Sequence, residues 1–158
     1  MKDKDRKKKK KDAGPVWEFE HAVEVAAPAA SAWAFWTNVE NWSLDPSVEW
    51  ARIDGDFEAG AVGETKQKGT PPGRWRVAEA RAPERAVIEI EMPGAAAYFE
   101  MNFEPVSDAA SRLRQRITLA GPEAAGLAEG LGPEFGDGVR AGMRKLADAI
   151  ERHAQGRG

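Results

Sequence analysis

Apolar and polar residues alternate through residues 16–25, VWEFEHAVEV. Trp17, Phe19, His21, Val23 and Val25 share one face, and Glu18, Glu20 and Glu24 share the other. A period of two is that of a half-buried strand. Ala27-Pro28 stops this strand, and Pro28 suits the first position of a helix. Residues 30–36, ASAWAFW, then predict a short helix with Trp33 and Trp36 on one face. Thr37 and Glu40 have capping-box spacing, which predicts a second short helical segment carrying Trp42 and ending near Asp45-Pro46.

Six further strands follow in the pattern. VEWARI at 48–53 puts Val48 and Trp50 in phase, and VGETKQK at 62–68 is polar, with Gly60 and Gly63 allowing tight geometry or a bulge. RWRVAEAR at 74–81 puts Trp75 and Val77 in phase, and RAVIEIEM at 85–92 does the same for Ala86, Ile88, Ile90 and Met92. In 96–104 the in-phase set is Ala97, Phe99, Met101 and Phe103; in 111–119 it is Leu113, Gln115, Ile117 and Leu119, with Arg112, Arg114, Arg116 and Thr118 outward. Turn residues join these runs, so an antiparallel meander is predicted. From Gly121-Pro122-Glu123 onward, Leu127, Leu131, Phe135, Val139, Met143, Leu146 and Ile150 recur at spacings of four and three. We read a short helix near 122–130, a break at Gly132-Pro133 and a long helix over 134–153. Gly136, Gly138 and Gly142 weaken helix propensity, in exchange for close approach to the sheet or for mobility. The order predicts an α+β fold in which one strongly curved antiparallel sheet closes around a C-terminal helix and leaves a cavity between them.

Composition narrows the chemistry. The chain has no cysteine, which excludes disulfides, thiolate metal sites and cysteine nucleophiles. No run approaches the roughly 18–20 apolar residues of a membrane span, and the basic start lacks the apolar segment of a secretory signal. An integral membrane protein is therefore not expected, and the cytoplasm is the expected location. Residues 1–12 carry seven Lys and one Arg against three Asp, a net +5; with the whole chain at −3, the remainder is −8. An acidic body does not present the basic face of a specific nucleic-acid binder. Residues 1–15 read as a solubilising disordered tail, or as a contact for anionic lipid, nucleic acid or protein. They contain no aromatic residue before Trp17 to stack or anchor.

EVAAPAASAWAFWTNVENW at 24–42, DGDFEAGAVGE at 54–64 and LAGPEAAGLAEGLGPEF at 119–135 carry a family resemblance. Together with the order of elements, they make residues 16–155 resemble the polyketide cyclase/dehydrase branch of the START-like, Bet v 1-like (SRPBCC) superfamily. The resemblance implies a helix-grip fold: seven antiparallel strands around a long C-terminal helix, two short helices after the first strand, and an apolar cavity. Relatives bind lipids, polyketides or hormones, and some catalyse cyclisation or dehydration.

The in-phase residues supply the candidate ligand wall: Trp50, Trp75, Phe99, Met101, Phe103, Leu131, Phe135, Val139 and Met143. Aromatic and flexible side chains suit an apolar or aromatic ligand, and they equally suit a filled core. Gln115 either orients a ligand from inside or faces solvent after a register slip. His21 has the ionisation range for proton relay to a ligand oxygen. Its other reading is a core-edge histidine. His153 falls in the last helical turn. No metal or cofactor is expected, since two distant histidines with no carboxylates at ligand spacing make a poor zinc set. Glu64 becomes an acid/base candidate only if its face points inward. Three functions stay open: binding of a small hydrophobic molecule, cyclisation or dehydration of a polyketide-like substrate, and protein interaction through the basic tail. Oligomeric state is not legible.

Overall fold

The computed structural model describes residues 17–132 and 134–156. The basic tail, 1–15, lies outside the described residues. Seven strands run β1 Trp17–Val25, β2 Val48–Ile53, β3 Val62–Gln67, β4 Gly73–Arg81, β5 Arg85–Met92, β6 Ala95–Ser107 and β7 Ala110–Ala120. They form one open antiparallel sheet in the order β1-β7-β6-β5-β4-β3-β2, so β1 and β2 are its two edges. Between those edge strands in sequence lie helix α1, Ala29–Thr37, and a 3-10 helix, Val39–Leu44. Helix α2, Ala124–Leu131, and the long α3, Glu134–Gly156, close the chain.

The alternating patterns decide which face of the sheet is covered. Leu113, Ile117 and Leu119 of β7 are buried, and so are Met101 and Phe103 of β6 and Ala86 and Ile88 of β5. The opposite face is a ladder of ion pairs. Arg112 meets Glu24 at 2.9 Å, Arg114 meets Glu20 and Glu104 at 3.0 Å each, and Arg116 meets Glu18 at 2.6 Å, tying β1, β7 and β6 together. Exposed pairs of this kind stabilise little, on the order of 0–1 kcal/mol each. They oppose a one-residue slip, which would turn the arginines into the core. Farther along this face, Arg85 bridges Glu79 and Glu100, and the Tyr98 hydroxyl donates to Glu89 at 3.3 Å. Burial, and then the charge of Glu89, raise the Tyr98 pKa.

Local caps differ from the sequence expectation in ways that have clear causes. Pro28 is the N-cap of α1, with extended ψ of 154°, rather than its first helical residue. The Thr37–Glu40 capping box does not form. The Thr37 hydroxyl donates back to Trp33 O at 2.8 Å, and Asn38 caps the 3-10 helix by accepting from the Glu40 amide. Ser111, fully buried, donates to Ala27 O at 2.9 Å and fastens the start of α1 to β7. After α2, Gly132 at φ 74° breaks the helical direction. Leu127 consequently leaves the apolar stripe and stands 38% exposed.

The β2 expectation is corrected. A bulge between Val48 and Trp50 sets Trp50 opposite Lys66 and turns it away from the concave face, where its ring lies under the Arg52 guanidinium at 5.1 Å. Ala51, 7% exposed, takes the inward place. Gly63 on β3 is forced by packing. A Cβ there would sit 2.3 Å from the Trp75 ring and 2.7 Å from Arg52 O.

Gly63→Ala should therefore destabilise by about 1–3 kcal/mol in urea unfolding, through overpacking. Gly73→Ala, with nothing within 4 Å of its Cβ, should stay within about 0.5 kcal/mol of wild type.

The hydrogen bond from Arg85, opposed by burial, holds Glu79 below the usual carboxylate range. A depressed carboxyl contributes stability above its unfolded pKa, and loses it as pH falls through the folded value. Arg85→Gln should raise the Glu79 titration observed by NMR and cost more stability at neutral than at acidic pH.

Candidate functional site: a cavity between sheet and helix

A cavity of about 920 Å³ lies between the concave face and α3. Its position follows from where the helix docks. α3 packs along β1, at one edge of the sheet, while the inward side chains of β4, β5 and β6 face the space beyond it. Trp75, Ile88, Ile90, Phe99, Met101 and Ile117 form the sheet wall, and Phe135, Val139, Met143 and Leu146 form the helix wall.

The far end is closed by the segment after β1. Phe35, Trp36 and Trp42 all line the cavity. The ring centroids of Trp36 and Trp42 are 5.6 Å apart, and those of Trp42 and Trp75 are 5.0 Å apart. Polar handles hold this run of indoles. Trp42 Nε1 donates to Trp36 O at 2.8 Å, and Trp75 Nε1 donates to Thr65 Oγ1 at 2.9 Å. Asn41 Nδ2 donates to Phe35 O at 2.9 Å. Buried indoles whose N–H groups are satisfied make a rigid apolar wall.

The polar groups gather toward the mouth. Asp45 and Ser47 approach from the end of the 3-10 helix, Gln67 and Thr70 from the β3–β4 turn, and Lys145, Asp148 and Arg152 from the last turns of α3. Leu44, 58% exposed, stands on the same rim. Asp45 Oδ1 already accepts from the Ser47 amide and hydroxyl, both at 2.9 Å, and Asp148 pairs with Arg144 at 3.3 Å.

Seven of the ten residues singled out as a ligand wall surround this space: Trp75, Phe99, Met101, Gln115, Phe135, Val139 and Met143. Gln115 takes the inward of its two alternatives, and it faces His21 on β1 and Met101 on β6 in the ladders. Three residues lie elsewhere. Trp50 is on the outer face for the reason given above. Phe103, 2% exposed, fills the core against Trp33 and Trp36 at 5.4 and 5.8 Å. Leu131 packs with a smaller cluster around Ala97 and Leu119. His21, half-buried, is not in the cavity lining, and His153 rests on the Phe35 ring at 5.4 Å. Glu64 lines a small exterior cleft and pairs with Arg52 at 2.5 Å, so its face is outward. The described residues contain no group of three or more His, Asp or Glu able to hold a metal.

The aromatic end wall and the charged rim are additions to the sequence reading. The sequence pattern assigns Trp42 only to a helical segment, because its inward aim depends on the 3-10 turn. Lys145 and Arg152 had a readable signal: they continue the series Gly138, Gly142, Lys145, Ala149, Arg152 at helical spacing.

Of Gly136, Gly138 and Gly142 in α3, one is required by contact. A Cβ on Gly136 would lie 2.9 Å from the Phe19 ring, and none at Gly138 would meet an atom within 4 Å. At Gly142 the nearest is Asp45 Oδ2, at 3.8 Å. Gly138→Ala and Gly142→Ala should each stabilise by about 0.5–1 kcal/mol from helix propensity. Gly136→Ala should lose that gain to its clash, and equilibrium denaturation of the three variants checks the contrast.

Comparison with known proteins agrees with this geometry. The family described as "Polyketide cyclase / dehydrase and lipid transport" matches residues 16–151. No curated protein sequence is significantly similar to the chain. Among solved structures, norcoclaurine synthase from Thalictrum flavum, in complex with dopamine and hydroxybenzaldehyde, superposes with a TM-score of 0.68. Its identity is 15%, covering 92% of this chain and 93% of that one. The Streptomyces aromatase/cyclase Zhui gives 0.70 at 16% identity, covering 90% and 98%. A Thermobifida fusca protein solved by NMR gives 0.67 at 24%, covering 85% and 93%. At these identities the likeness is one of fold, the curved sheet and long helix of the SRPBCC superfamily. The match over most of its length places this chain in the polyketide cyclase/dehydrase and lipid transport family.

Proposed function

We propose that the protein binds a small hydrophobic or aromatic molecule in the cavity between the sheet and α3. The observation that carries this reading is the cavity itself, about 920 Å³ with aromatic and aliphatic walls. Small-molecule sites span roughly 300–1,000 Å³, are mostly apolar, and have a few placed polar groups. Here Gln115, whose amide both donates and accepts, lies on the sheet wall, Asn41 and Thr65 bond within the aromatic end wall, and the charged groups are on the rim. The family description includes lipid transport, and the Thalictrum enzyme of the same fold is complexed with two small aromatic molecules. Both facts support the same class of ligand.

Binding is favoured over cyclisation or dehydration by the state of the ionisable groups. General acid/base catalysis needs a group within hydrogen-bond reach of the moving proton. The carboxylates on the described lining, Asp45 and Asp148, are at the rim and already engaged. His21 is not in the lining. The basic-tail interaction reading rests on residues outside the described structure.

Native mass spectrometry of the purified protein, with small-molecule analysis of its organic extract, tests the proposal. A stoichiometric hydrophobic passenger is the expected result. An empty protein that also fails to bind lipids and aromatic polyketides would overturn it. Val139→Trp, which inserts an indole from the helix wall, should retain the fold and weaken ligand binding at least about tenfold, or 1.4 kcal/mol. Titration of the intrinsic tryptophan emission reads the loss.

A further inference from the structure

The rim of the cavity carries cations that, among the described residues, have no ion-pair partner. On the outer sheet face most arginines are paired, as with Arg52–Glu64, Arg76–Glu89 and Arg116–Glu18. Among the described residues, the Lys and Arg side chains without an ion pair are Lys68, Arg74, Lys145 and Arg152. Three of these four line the cavity.

Helix geometry aims two of them. Lys145 and Arg152 share the α3 stripe that lines the cavity through Gly138, Gly142 and Ala149. Seven residues apart, they stand two turns from each other, roughly 10.5 Å along the axis. Of the neighbouring carboxylates, Asp148 pairs with Arg144, and Asp45 Oδ1 accepts from the Ser47 amide and hydroxyl; neither is ion-paired to Lys145 or Arg152. Arg74 belongs to both the rim and the exterior cleft that it shares with Arg52 and Glu64, so its role at the mouth is secondary.

Cations kept free of partners at the edge of an apolar cavity favour one class of occupant. We infer that the ligand is an amphiphile with an apolar body among Trp75, Ile88 and Met101, and an anionic head held at the mouth by Lys145 and Arg152. This rests on the ligand-binding reading above and adds the head-group chemistry. The head is an oxyanion, carboxylate or phosphate. A guanidinium meets either in bidentate fashion and an ammonium meets either as a point charge. A ligand body that excludes water from the mouth lowers the local dielectric and strengthens the attraction.

Three naphthalene probes test this by isothermal titration calorimetry: naphthoate, naphthyl phosphate and naphthalenemethanol. Wild-type protein, freed of any passenger, should bind at least one of the anions about three- to tenfold tighter than the alcohol at low salt, as expected of two partly exposed charge contacts. The preferred anion identifies the head. The preference should shrink as salt is added. Lys145→Gln/Arg152→Gln should abolish it while leaving the alcohol affinity within about twofold and the melting temperature near wild type. Arg112→Gln, on the outer face, should preserve it. Alcohol binding as tight as either anion, or a preference that survives the double substitution, would overturn the head-group inference while leaving the cavity reading intact. No binding of any probe, together with an empty native protein, would overturn both.

Discussion

α3 lies along β1, an edge strand, and the sheet curls past it. That lateral seat is the constraint from which the cavity follows. Met143, Ala147 and Ile150 are buried in the core beneath the helix, and burial of such a stripe is what keeps an amphipathic helix in place. A single helix about 10 Å wide cannot cover the inward faces of all seven strands. The uncovered portion, from β4 to β6, is apolar, and it is walled at its far end by aromatic side chains rather than by a second helix. Gly136 permits this seat, since its missing side chain lets Phe19 approach the helix backbone. Trp17, Phe19 and Phe135 then lock that end by edge-on contacts of 5.7 and 6.2 Å.

At the opposite end, rigidity comes from packed indoles, two of which, Trp42 and Trp75, have hydrogen-bonded N–H groups. Trp36, Trp42 and Trp75 belong to three different elements, yet their rings follow one another across the wall. Two of them are positioned by a backbone detail: the turn into the 3-10 helix for Trp42, and the absence of a Cβ at Gly63 for Trp75. A wall held this way is organised before any ligand arrives, which lowers the ordering cost of binding.

Charge is partitioned along the same lines. The convex face neutralises its arginines with glutamates on neighbouring strands, which keeps that surface polar and in register. The rim does not neutralise its cations. Because both regions lie at the surface, solvation alone does not explain the difference; it arises from which helix and strand positions the curvature brings to the opening.

The strands and the long helix were legible in the sequence because their periods are local properties. Alternation at 17–25 and 111–119, and the four–three stripe through Val139, Met143 and Ile150, each point one face toward a core whatever that core turns out to be. Seven of the ten wall residues followed directly from that phase. Trp50 did not, because a bulge inserts one residue and reverses phase, and the sequence of β2 contains no glycine to mark it. Leu131 departed with the break at Gly132, and Phe103 because core and cavity lie on the same side of one strand. The sequence by itself determined which faces would be buried and in what order the elements would come. Tertiary structure alone decided which buried face meets protein and which meets empty volume, because that depends on where the helix seats across the sheet, a long-range packing outcome that no local spacing encodes.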